Sequence, residues 1–268
     1  MNHEELLRAA TVIAASVDDI DRGEIADRID RLGVVVVRGL NTPDEVIRAK
    51  QQLAARFSVE NDRPSRGETS EELYANLQKF AVYGSGFRPN AHPQCLRSFY
   101  NPIWAEDIYG MREIFRRTAR LRNLLSEVAL DWAVDEIEDG FWTAARLHHY
   151  PAGGGFMDGH REIQVPKVYE EAGLSIAYFQ PLVVMSKRGT GQDCDFETGG
   201  GFFEDNGQPV YYESYCEPGD VLVYDTRVIH GVSEIDSHKP FRQDSLEGRF
   251  AAFVTLFKDL SVREPSAR

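Results

Sequence analysis

With 268 residues, 42% hydrophobic and 11% aromatic, the chain can bury one sizeable core and is short for two full domains, so a single site is expected. A formal net charge of −13, with no basic stripe interleaved with aromatics, repels phosphate backbones and excludes nucleic acid as an expected partner. Cys95, Cys194 and Cys216 are odd in number and contain no C-x-x-C pair, which argues against a disulfide framework or a thiolate zinc site and fits a reducing cytoplasm.

The opening MNHEELLRAATVIAASVDD carries charge throughout and has neither the basic start nor the apolar run of a signal peptide. No stretch reaches the ~18 apolar residues needed to cross a bilayer, so a soluble, cytoplasmic protein without membrane contact is expected. EELLRAATVIAASV and then DRGEIADRIDRL place apolar residues at three- and four-residue intervals and predict helices. GVVVVRGL predicts a short buried strand. In T-P-D-E, Thr42 precedes Pro43 and stands three before Glu45, which predicts a capped helix running through EVIRAKQQLAARF.

From about Ser58 to Pro102 the chain is polar and punctuated by Pro64, Gly67, Gly84, Gly86, Pro89 and Pro93, with one helical patch around EELYANLQKF. It predicts an elaboration over a binding face. Met111, Ile114, Phe115, Thr118, Leu121, Leu125, Val128 and Trp132 then recur at helical spacing and predict a long amphipathic helix packed on the outside of a sheet. After residue 140 the texture changes to short strands between glycine and proline turns: FWTAARLHHY, SIAYFQPLVVMS, GGGFFED, PVYYESY, DVLVYD, RVIHGVS and RFAAFVTLF. Such strands predict an antiparallel sandwich or barrel, and no internal repeat points to a solenoid or propeller.

A mononuclear non-haem iron centre needs two neutral imidazoles and one carboxylate on one face, with positions left open. His160 and Glu162 stand two apart in DGHREI, and an extended segment turns such residues to the same side. His230, in VIHGV, is the third candidate ligand. An H-x-E pair alone is a weak signal, since an exposed polar loop or a hydrogen-bonded core histidine produces it as readily. Its flanks are more telling: Y-P-A-G-G-G-F-M-D-G leads into His160, and EPGDVLVYDTRVIHGVSE places a Pro-Gly turn and an apolar strand before His230.

Both segments resemble the Fe(II)/2-oxoglutarate-dependent dioxygenase superfamily, where a tyrosine strand and glycine turn lead into H-x-D/E and P-G-D plus a strand leads to the distal histidine. GVVVVRGLNTPDEV also resembles the opening strand and helix of the branch containing phytanoyl-CoA hydroxylase. Glutamate at position 162, where aspartate is commoner, is shared with the clavaminate-synthase-like branch. A carboxylate there favours hydroxylation or desaturation over halogenation, since the related halogenases put a small residue in its place. The resemblance implies a mostly β fold with flanking helices (α+β), a double-stranded β-helix (jelly roll, cupin-like) with the N-terminal helices packed outside. Residues 1–268 then form one domain, with 1–140 as mainly helical support and substrate-face insertion and 141–258 as the jelly-roll core.

The resemblance also implies Fe(II), 2-oxoglutarate and dioxygen, with His160, Glu162 and His230 as metal ligands and a cation for the distal carboxylate of 2-oxoglutarate. Arg249 opens the strand after His230 in GRFAAFVTLF; Arg242, in KPFRQDS, has the spacing of many relatives but lies in a polar loop. Arg249 is preferred because the resemblance places this residue at the opening of the strand after the distal histidine, and its planar fork can bind a carboxylate in bidentate fashion. In FWTAARLHHY, Arg146, His148 and Tyr150 share one face and Leu147 and His149 the other; one of these faces looks into the barrel, and His148 and Tyr150 are candidates to bond 2-oxoglutarate there. Gly199, Gly200 and Gly201 lack the Lys-Ser/Thr of a phosphate loop and are read as glycines that let backbone approach the site. Asp225 either orients His230 or caps a turn. The Lys187–Arg188 stretch is a lid or an exposed connection, and Arg97, Tyr100 and Asn101 are substrate-facing or structural. The expected activity is hydroxylation of a small metabolite, such as an amino acid or natural-product intermediate, with release of succinate and CO2. A small molecule is the expected partner, with a homodimer as an open option. The rivals are a cupin-like metal dioxygenase or isomerase without 2-oxoglutarate and a catalytically inactive jelly-roll binding protein.

Overall fold

The computed structural model describes residues 2–63, 77–82, 94–103, 106–162, 167, 170 and 179–258. Helix α1 (His3–Ala9) opens on a capping box between Asn2 and Glu5. It is shorter than its periodicity predicts: the β-branched Thr11–Ile13 leave the helix and form strand β1. Helix α2 (Arg22–Leu32) ends on the left-handed Gly33 (φ 76°) and delivers β2 (Val34–Arg38), with which β1 pairs in parallel. Helix α3 (Pro43–Arg56) starts at Thr42 with the expected reciprocal cap to Glu45.

The supposed elaboration after Ser58 contributes strands β3 (Gln78–Val82) and β4 (Gln94–Tyr100), which pair with each other. Thus the part of EELYANLQKF that is described is extended, not helical, because its residues are zipped to a partner strand. The first part of that patch, residues 71–76, and Pro64, Gly67, Gly84, Gly86, Pro89 and Pro93 lie outside the described residues, as do residues 175–178 of the expected strand SIAYFQPLVVMS. Helix α4 (Arg112–Leu125) is also shorter than predicted. The Asn123 side chain donates to the carbonyls of Ala129, Leu130 and Trp132, and Glu127 takes a left-handed φ of 54°, so the chain turns back before Val128 can extend the stripe.

The remaining strands are β5 (Phe141–Pro151), β6 (Gly155–His160), β7 (Phe179–Val184), β8 (Gly200–Asp205), β9 (Gln208–Tyr211), β10 (Val221–Asp225), β11 (His230–Ile235) and β12 (Gly248–Lys258). They pair in a nested way: β5 with β12, β6 with β11, β7 with β10 and β8 with β9, all antiparallel. A hairpin of strands rolled up on itself gives this pattern, and it is the expected double-stranded β-helix. One half is β5, β12, β7 and β10, extended by β2 and β1; the other is β6, β11, β8 and β9. Strand β4 bridges the two by pairing with both β5 and β6.

The four valines of β2 are all buried, and their alternation divides them between two cores. Val35 and Val37 face the helices, where Ile25, Ile29, Val46, Leu53, Ile114 and Phe115 pack on Val183, Val221, Val223, Ala252 and Val254. Val34 and Val36 face the other way, with Leu182, Val184, Leu222, Ala251, Phe203 and Tyr212 inside the roll. The helices therefore stiffen one outer face and leave the inner face to the site. Among the described residues no helix is long and apolar enough to cross a membrane.

Candidate active site

Strand β6 ends and β11 begins at one rim of the roll, and their pairing puts His160 directly opposite His230. Two residues on, the Glu162 N–H donates to the Thr226 carbonyl (3.0 Å), so the backbone stays pinned to the turn before β11 after the strand has ended. Ligand atoms of His160, Glu162 and His230 lie within 4.8 Å of one another, and all three residues are half-buried. The two imidazole centroids are 4.4 Å apart.

Each ring is oriented by its own strand. Nδ1 of His160 is 2.8 Å from the Asp158 carbonyl, and Nδ1 of His230 is 3.0 Å from the Val228 carbonyl. A carbonyl only accepts, so both Nδ1 atoms carry the proton and both lone pairs sit on Nε2, the tautomer that a metal requires. Asp225 does not orient His230. It accepts from the Arg227 N–H (2.7 Å) and guanidinium, capping the turn that leads into β11.

Between the two halves of the roll lies a cavity of about 120 Å³, lined by Arg146, His148, Tyr150, His160, Glu162, Gln180, Tyr212, Tyr224, His230, Arg249 and the apolar Leu182, Phe202, Leu222 and Phe253 among others. Of the two faces of β5, alternation turns Arg146, His148 and Tyr150 inward, while His149 faces the other side and stacks on Phe250. Arg146 Nε donates to Nε2 of His148 (3.0 Å), which leaves the imidazole proton on Nδ1, 3.4 Å from the Tyr150 hydroxyl. Burial holds the His148 imidazolium well below the usual histidine range, with Arg146 and Arg249 pushing the same way. Burial likewise pushes the Tyr150 phenol up to about 12. This face thus presents neutral donors and one arginine.

The far end of the cavity is built around Arg249, which is 1% exposed. Its Nε donates to Glu213 Oε1 (2.5 Å) and its Nη2 to the Tyr212 hydroxyl (2.6 Å); its plane lies 5.1 Å from the Tyr150 ring centroid. Nη1 is buried and has no hydrogen-bond partner among the described residues. Glu213 also accepts the Gly201 N–H through Oε2 (2.9 Å). A Cβ on Gly201 would stand 2.0 Å from the Tyr212 oxygen and 2.6 Å from Nη2 of Arg249, so the glycine of β8 is needed for backbone to approach this cluster, as its sequence setting suggests.

Every residue of the expected site, His160, Glu162, His230, Arg249, His148 and Tyr150, lines this one cavity. Arg242 does not; it is an exposed partner of Asp244. Arg97, Tyr100 and Asn101 take structural roles: Arg97 is buried against Asp62, Tyr100 packs with Trp142, and Asn101 caps the loop to Ile108. Lys187 pairs with Glu217 and Arg188 lies over Tyr211, so neither lines the cavity. Tyr212 and Glu213 escape sequence reading because YYES forms a single 3₁₀ turn where PVYYESY suggests a continuous strand. A lone acidic residue among aromatics was the available signal.

No family model and no curated protein matches the chain. Several solved structures do. One is a prolyl hydroxylase of Trichoplax adhaerens in complex with a hypoxia-inducible-factor oxygen-degradation-domain peptide fragment, 10% identical, covering 89% of each chain with a TM-score of 0.52. EctD from S. alaskensis in its apoform is 16% identical (89% of this chain, 77% of that one, TM-score 0.47). An oxidoreductase of the 2OG-Fe(II) oxygenase family from Burkholderia pseudomallei is 11% identical (92% and 95%, TM-score 0.47). The latter two score lower and carry no further weight. At such identity the likeness to the Trichoplax hydroxylase is one of fold, and it places the nested strand pairing of this chain in the same jelly-roll architecture.

Proposed function

We propose that the chain is a non-haem Fe(II)- and 2-oxoglutarate-dependent oxygenase that hydroxylates a small metabolite, such as an amino acid or natural-product intermediate. The observation that carries this reading is the pairing, in one cavity, of a two-imidazole, one-carboxylate donor set with a buried arginine whose Nη1 has no partner among the described residues. His160, Glu162 and His230 would hold the metal through two Nε2 atoms and a carboxylate oxygen. Arg249 would take the distal carboxylate of 2-oxoglutarate on its Nη1 side. With dioxygen, this cofactor pair supplies the oxidation of a substrate C–H bond, releasing succinate and CO2.

The protein's own contribution is positional. The carbonyls of Asp158 and Val228 fix the tautomer of each neutral ring, so both would offer Nε2 to a metal without rearrangement. Tyr212, having accepted from Arg249, keeps its O–H to donate, and Tyr150 stands beside it on the same wall. Leu182, Leu222, Phe202 and Phe253 limit water in the cavity, which strengthens each of these polar contacts. The whole chain acts as one domain in this proposal, residues 1–140 supporting and 141–258 forming the roll.

One observation favours a second reading. The charge of Arg249 is already met by Glu213, as it would be in a metal dioxygenase or isomerase of the same fold in which Arg249 is purely structural. Anaerobic titration with Fe(II) and then 2-oxoglutarate separates the two. A visible metal-to-ligand charge-transfer band, lost in His230→Ala, supports the oxygenase. Iron binding without the band supports the second reading, and no iron binding leaves an inactive binding fold.

A further inference from the structure

Glu213 is unused by the activity proposed above, although it sits against the group most directly concerned with the cosubstrate. Its side chain and that of Arg249 are each 1% exposed. A guanidinium offers two edges. Here Nε is taken by Glu213 and Nη2 by Tyr212, so an incoming carboxylate has to approach through Nη1.

The charges at this end do not then balance. The single positive charge of Arg249 is cancelled by Glu213 before any ligand arrives. Seating a second carboxylate on the same guanidinium leaves one uncompensated negative charge beside side chains that are shielded from solvent. Two carboxylates sharing one site do not both stay ionised; one takes a proton. The surroundings assign the proton to Glu213. Facing it are Arg249 from β12, Tyr150 from β5, Tyr212 beside it and Cys216 just downstream, with the Gly201 N–H from β8; Arg249 is the one cation hydrogen-bonded to it among the described residues. Arg146, the other arginine of the cavity, reaches this end only through His148 and Tyr150. Burial already pushes the Glu213 carboxyl up, against the pull of Arg249, while the distal carboxylate of the ligand would keep the charge-assisted bond from Nη1.

We infer that Glu213 sets the affinity for 2-oxoglutarate by taking up one proton from solvent as the distal carboxylate seats on Arg249. The Glu213 carboxylate becomes a carboxylic acid and keeps its place beside Nε, and no other bond is made or broken. This inference rests on the reading of the cavity as a 2-oxoglutarate site.

The test is 2-oxoglutarate binding to the iron-loaded protein under anaerobic conditions, read by the charge-transfer band and by calorimetry in buffers of differing ionisation enthalpy. It is run from about pH 6 to about pH 8.5, where neither carboxylate of the free ligand titrates. The expected result is a Kd that weakens toward about tenfold per pH unit at the alkaline end, with uptake of close to one proton per ligand. In Glu213→Gln, a neutral mimic of the acid, binding is at least about tenfold tighter at the alkaline end and its pH dependence is flat. A flat wild-type profile without proton uptake overturns the inference and leaves the cosubstrate reading standing. A pH dependence that survives in Glu213→Gln overturns it by placing the proton elsewhere. Iron binding with no 2-oxoglutarate binding at any pH in either protein removes the cosubstrate reading and the inference together.

Discussion

The two ends of the cavity are made by opposite means. At the rim, His160, Glu162 and His230 stand half-buried at strand ends, and each imidazole is fixed by a carbonyl two residues away in its own segment. At the base, Arg249, Glu213 and Tyr212 are fully buried and hold one another, with Gly201 of a further strand closing the cluster. The rim is local chemistry repeated on two strands, whereas the base exists only when the roll has closed. Loss of one member should therefore be felt as lost ligand binding at the rim and as lost stability at the base.

The largest effect is expected from His230→Ala. Since loss of groups merely supporting a metal ligand costs about 10- to 100-fold, removing a proposed ligand itself should lower iron affinity and turnover by more than about 100-fold. Melting of the apo-protein should stay close to wild type, because His230 is half-buried at a strand end. Anaerobic Fe(II) titration and calorimetry check both. At the base the ranking reverses. Arg249→Met strands Glu213 without its counter-ion and should cost about 3–5 kcal/mol in urea denaturation, while the double variant Arg249→Met/Glu213→Leu should regain most of that. A single variant as stable as wild type would remove the contrast between the ends.

Gly201→Ala offers a finer cut. The new methyl has to displace Tyr212 or Arg249, an overpacking that should cost about 1–3 kcal/mol and weaken 2-oxoglutarate binding while leaving Fe(II) affinity unchanged. Acid provides a variant-free comparison. His149, on the outer face of β5, is pushed down to about 3 by burial and by Arg97, and so stays neutral in the fold where the unfolded chain would be protonated. Its contribution to stability is complete above about pH 6.5 and is lost as pH falls from there toward about 3. His149→Gln should flatten the slope of stability against pH over that window by up to one proton, measured by denaturation midpoints. The smallest effect, and a control remote from the cavity, is Thr42→Ala at the cap of α3, about 1 kcal/mol with no change in either ligand's affinity.

The same division explains what was legible in the amino-acid sequence. At the rim the H-x-E pair and the Pro-Gly turn before His230 are local patterns, and the resemblance they carry makes those residues a candidate ligand set. Arg249 is a candidate through the resemblance, and alternation puts Arg146, His148 and Tyr150 on one face without saying which face looks inward. Glu213 could not be read, because its importance comes from Arg249 on a distant strand and from a 3₁₀ turn that breaks the alternation of PVYYESY. Elements failed for related reasons. The periodic stripe ran past Leu125 because the wrap of the turn by Asn123 is a tertiary arrangement. Thr11–Ile13 read as helix because only the neighbouring β2 makes them a strand, and β3 and β4 are hidden in polar sequence because only their pairing with each other, and of β4 with β5 and β6, makes them strands.

The nested pairing sets an order of manufacture. Among the described strands β12 is the last to be made, yet it lies between β5 and β7 and carries Arg249 near its start, opposite Tyr150. A nascent chain can pair β6 with β11 and so assemble the rim before β12 is made, leaving a seam between β5 and β7. Under the proposed function, the metal site at the rim would be complete before the arginine that receives 2-oxoglutarate is in place, so cofactor loading would precede cosubstrate recognition.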